Sequence, residues 1–73
     1  MTERDQKAAE IGRLAADTAE KLRGRLSGLR LELHDGGVVL RGTARSFYAK
    51  QLALHAVMAG TALPIVRNEI EVT

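Results

Sequence analysis

The sequence predicts a small α+β domain with the element order α-β-β-α-β. Three observations carry that prediction. An apolar stripe at helical spacing runs through residues 5–26. Two alternating stretches flank an Asp-Gly turn at Asp35-Gly36. A second helical stretch then leads past Pro64 into a third alternating stretch. The expected architecture is a three-stranded mixed sheet with two helices packed on one face. All 73 residues form a single domain, with its core from about residue 8 onward.

In the first helix, Ile11, Leu14, Ala15, Thr18, Leu22 and Leu26 recur at spacings of three and four and define one apolar face. Asp5 is the expected N-cap, with Thr2 as its competitor, and Gly24 and then Ser27-Gly28 end the helix. Leu29-Arg30-Leu31-Glu32-Leu33-His34 alternates without a break and reads as a half-buried strand. Asp35-Gly36 supplies the positive φ angles of a two-residue hairpin turn. With His34 opposite Gly37, the turn sets Leu33 against Val38, Leu31 against Leu40 and Leu29 against Gly42, all on one face. The same register sets Arg30 against Arg41 on the other face, an unfavourable pair of like charges that Glu69 and Glu71 of the last strand are expected to offset.

Ser46 is the expected N-cap of a second helix from Phe47 to Gly60, stopped by Gly60 with Pro64 beyond. Its inner face is Ala49, Leu52, Ala53, Ala56 and Val57. Phe47, Leu54 and Met58 form a spare apolar flank with Tyr48 and His55 beside it. The last strand, Ile65 to Val72, is expected to place Val66, Asn68, Ile70 and Val72 inward and Ile65, Arg67, Glu69 and Glu71 outward. A crossover from the second strand to a parallel third strand completes the sheet.

The bulk properties narrow the function classes. A chain this short buries only about 60% of its unfolded surface, and with no cysteine it has neither a disulfide nor a thiolate metal site. Net charge is +2, but the basic residues concentrate in the middle: residues 21–50 carry seven basic and two acidic side chains. Such a segment suits phosphate groups, although an ordinary solvated face accounts for the same charges. No apolar run approaches a spanning helix or a signal peptide, so the chain as it stands reads as cytoplasmic, and as periplasmic if it belongs to a longer exported protein.

These pieces together resemble a known family. Leu31-x-Leu33, Asp35-Gly36-x-Val38-x-Leu40-x-Gly42, Ser46 opening a helix, and the closing Val66-x-Asn68-x-Ile70-x-Val72 are similar to the pattern of the BON domain. That small module occurs in bacterial osmotic-shock, secretin, channel and haemolysin-related proteins. The resemblance implies an α-β-β-α-β fold and binding of phospholipid or other envelope components. The chain departs from the pattern before the last strand, where Ala62-Leu63-Pro64 replaces the family's Gly-Val. Many members also carry an export segment and a second copy of the domain, and this sequence shows neither.

The candidate residues follow. Arg30, Arg41, Arg45 and Lys50 are the candidate anion or lipid contacts, with Arg23 and Arg25 in the same basic group. Phe47, Tyr48, Leu54 and Met58 are the candidate apolar interface. Gly36, Gly42 and Asn68 are structural: Gly36 for the turn, Gly42 for close approach of a helix, and Asn68 as an inward amide bonded to backbone. His34 and His55 stand at no metal-ligand spacing, and no catalytic triad, phosphate loop or zinc spacing is present, so no enzyme activity and no cofactor are expected. A nucleic-acid module of the KH type needs a G-x-x-G loop between helices, and base stacking needs aromatics; the sequence offers neither. The leading expectation is a non-enzymatic module that contacts an anionic phospholipid surface or an envelope partner. The rival is a protein-docking or self-associating domain, including a homo-oligomer.

Overall fold

The computed structural model describes residues 2–73, and the five predicted elements appear in the predicted order. Helix α1 spans Glu3–Lys21, strands β1 and β2 span Leu26–His34 and Gly37–Ala44, helix α2 spans Phe47–Gly60, and strand β3 spans Ile65–Val72. The sheet order is β1-β2-β3, with β2 antiparallel to β1 and parallel to β3. Ile11 of α1 and Ala49, Ala53 and Val57 of α2 meet Val38, Leu40 and Ala44 of β2 and Ile70 of β3 in one buried core. Both helices therefore cover the same face, and the opposite face is open.

Helix α1 differs from expectation at both ends. Thr2, not Asp5, is the N-cap: its hydroxyl accepts from the Asp5 N–H, and the Asp5 carboxylate accepts from the Thr2 N–H. Asp5 is the far half of a capping box, which satisfies two donors where a lone cap satisfies one. The helix ends at Lys21, five residues early, with Leu22 as C-cap. Leu26 keeps its apolar contact but belongs to β1.

A bulge explains that reassignment. The predicted pairs hold from His34 and Gly37 to Arg30 and Arg41, and then the register shifts so that Ser27 pairs with Thr43 and Leu26 with Ala44. Gly28 and Leu29 together lie against Gly42, and Gly28 takes φ 64°, the left-handed conformation of a glycine-type bulge. The extra residue lets Leu26 and Leu29, three apart, both pack against the core. It also corrects the role of Gly42. A Cβ there would lie 3.2 Å from both the Leu29 Cα and the Ser27 carbonyl oxygen, so the close neighbour is the bulged strand and not a helix.

The Asp35-Gly36 turn is as predicted, with φ 51° and 77°. A second irregularity, between Val38 and Val39, corrects the faces of β3. Ile65 pairs with Val38 and packs against the core. Val66 lies over Gly37, where any side chain would collide with it, and is 41% exposed. Asn68 and Ile70 follow the predicted alternation, with Ile70 buried, but Val72, predicted inward, is 45% exposed at the end of the strand. Helix α2 runs through Gly60 to an extended C-cap at Thr61, and the Leu14 side chain of α1 occupies the space a Cβ at Gly60 would need.

Candidate functional site

The predicted basic residues separate into two groups with different surroundings. On the open face, Arg41 sits at the centre of β2, between Glu32 of β1 and Glu69 of β3. Its Nε donates to Glu32 Oε1 at 3.0 Å and its Nη1 contacts Glu69 Oε1 at 2.7 Å. His34 Nε2 lies 3.3 Å from the same Glu32 oxygen, and Arg67 lies 4.0 Å from Glu69. The hydrogen bond from Arg41, then that from His34, holds the Glu32 carboxyl below its usual value, and Glu32 in turn raises the Arg41 guanidinium. Two carboxylates thus bracket one guanidinium. Val39, on this same face, is fully buried, because its cross-strand neighbours Glu32 and Arg67 carry long side chains that screen it.

This geometry corrects one expectation. Glu71 does not offset Arg41: it pairs in register with Thr43, and Glu32 takes the place assigned to it. Arg41 itself already meets two carboxylates, Glu32 at 3.0 Å and Glu69 at 2.7 Å. Arg30 does stand directly across from Arg41 and is exposed, with no carboxylate within 4.0 Å among the described residues.

The second group surrounds the start of α2. Ser46 caps the helix, its hydroxyl accepting from the Ala49 N–H at 3.0 Å. Just before it, the Arg45 N–H donates to the Arg25 carbonyl at 3.0 Å, which fixes two exposed arginines side by side. Lys50 follows on the first turns, half-buried. Among the described residues, none of Arg25, Arg45 and Lys50 has a carboxylate partner, whereas Arg23 pairs with Glu20 at 3.5 Å. The first turn of α2 has no acidic residue, so the positive end of its dipole is also uncompensated.

Phe47 and Tyr48, on that same first turn, are each 65% exposed, and Met58 near the other end is 55% exposed. Leu54, predicted to share their surface, is half-buried and packs against the core. Asn68 Oδ1 accepts from the Ile70 N–H at 3.2 Å, so this amide serves backbone. The juxtaposition of Arg25 with Arg45 has no local signal in the sequence, because it depends on the bulged strand returning beside the exit of β2. Among the described residues, no group of three or more His, Asp and Glu is placed to hold a metal ion, and no helix is long and apolar enough to cross a membrane.

Comparison of the chain with protein-family models, with curated proteins and with solved structures returns no match.

Proposed function

We propose that this domain is a non-enzymatic binding module that docks peripherally on an anionic phospholipid surface through the first turns of α2. The observation that carries this reading is the start of α2: Arg25, Arg45 and Lys50, without carboxylate partners among the described residues, beside two largely exposed aromatic side chains, Phe47 and Tyr48. Aromatic rings suit the boundary between headgroups and acyl chains, and basic residues near an anionic leaflet each add about 1 kcal/mol. The closed Arg41 network takes no part. The resemblance to BON domains points the same way, since that family is thought to contact phospholipid.

Co-sedimentation with vesicles tests the reading. The protein is expected to bind mixed phosphatidylcholine–phosphatidylglycerol vesicles at low salt, to release as salt rises, and to ignore pure phosphatidylcholine. Reversing both Arg45 and Lys50 to Glu changes the local charge by four units and should weaken binding by about a hundredfold or more. Folded protein that ignores the anionic vesicles, or binds neutral ones equally, overturns the proposal.

A further inference from the structure

The outer side of α2 carries a line of residues whose two ends, Phe47 and Met58, are largely exposed. Phe47, Gln51, Leu54 and Met58 follow at intervals of four, three and four, so they share one stripe of the helix that flanks the buried Ala49, Ala53 and Val57, with Gln51 and Leu54 half-buried between the exposed ends. The helix carries a single formal charge, Lys50, and that residue lies beside the stripe.

We infer that this stripe seats a second copy of the same chain, docked antiparallel on α2. The spacing supports it, because four-three-four reads the same from either end. A two-fold axis through the middle of the helix sets Phe47 against the second copy's Met58 and Gln51 against its Leu54, the self-matching that a closed dimer requires. Charge complementarity supports it independently. The last turn of α2 has no basic residue, and its C-cap is extended, so the negative end of the helix dipole is uncompensated. An antiparallel partner brings that end to Arg45 and Lys50 of the other copy, twice over. A parallel arrangement would instead place the two basic ends together.

The flanks fit as well. In an antiparallel pair each flank meets its own kind, which sets Tyr48 beside the second copy's His55. No like charges are brought together. The contact is small. A helix about 21 Å long meeting its twin along one stripe falls short of the about 1,200 Å² of a standard interface. The dimer is therefore weak, with a dissociation constant on the order of 100 μM. The dimer covers Phe47 and draws Arg45 toward a helix end. If the proposed lipid contact holds, the dimeric and vesicle-bound forms exclude each other; the dimer itself does not depend on that reading.

Sedimentation equilibrium from about 10 μM to about 1 mM decides it. Wild-type protein should shift from monomer to dimer across this range. Met58→Lys should raise the dissociation constant at least tenfold, because it removes the contact with Phe47 and adds a cation facing Arg45. Glu71→Lys, exposed on the open face of the sheet and so on the side away from both helices, should leave it unchanged. Circular dichroism confirms that both variants fold. A monomer at every concentration overturns the inference, as does a dimer that survives Met58→Lys or is lost with Glu71→Lys. In parallel, Met58→Lys should retain binding to phosphatidylcholine–phosphatidylglycerol vesicles. If neither protein binds those vesicles while the dimer forms as described, the lipid reading fails and the dimer stands.

Discussion

The open face of the sheet and the first turns of α2 hold similar side chains and treat them differently. Arg41 is bracketed by Glu32 and Glu69 at 3.0 and 2.7 Å, in a face that also draws in His34 and Arg67. Arg25 and Arg45 are held side by side by a backbone hydrogen bond, with no carboxylate near either among the described residues. One region spends its cations on itself, and the other presents them outward. A count of basic residues along the chain cannot tell the two apart, because availability depends on what the fold places within about 4 Å.

The comparison can be broken first at its scaffold. Gly42→Ala should cost about 1–3 kcal/mol, because its φ of 152° suits only glycine, and the backbone of the bulge 3.2 Å away cannot rotate aside. Urea unfolding measures the loss. Vesicle binding by the remaining folded protein should persist, since the change falls on the sheet.

Single neutralisations sharpen the contrast directly. Arg45→Gln should weaken binding to anionic vesicles about fivefold, the worth of about one surface charge. Arg41→Gln should leave binding unchanged within error, because its charge is already met. Equal losses from the two variants would show that the open face contributes to the contact.

The smallest effect is a dependence on pH. The folded-state pKa of Glu32 lies below its unfolded value, so its contribution to stability is fully present above the unfolded pKa of about 4.5 and is lost as pH falls through the folded value. Thermal melts on either side of this window should show a steeper acid loss in the wild type than in Glu32→Gln. Identical slopes would place the acid sensitivity elsewhere.

These expectations rest on two kinds of information. The hairpin was legible because its turn residues and its alternation agree: Asp35-Gly36 demands positive φ, and only one register puts Leu31, Leu33, Val38 and Leu40 on one face. The two bulges were not legible. Leu26 continues a helical period that starts at Ile11, and only the inserted Gly28 lets it join a strand on the same face as Leu29. Val66 likewise continues the alternation of β3 and is turned outward by the irregularity beside Val38. Leu26 satisfies two periodicities and Val66 follows one that the register shift breaks, so local pattern settles neither.

The candidate site divides in the same way. Ser46 as a cap and the spare apolar flank of α2 follow from helical geometry, because spacing along one helix fixes which residues share a side. The burial of Leu54, the choice of Glu32 over Glu71 as partner for Arg41, and the meeting of Arg25 with Arg45 do not follow from it. Each is a contact between elements, set by sheet register and by how far a bulge displaces a strand. The sequence by itself determined the elements, their order and the hairpin, since these depend on neighbours a few residues apart. Only the tertiary structure decided which charges are spent and which remain, because electrostatic pairing depends on distance in space.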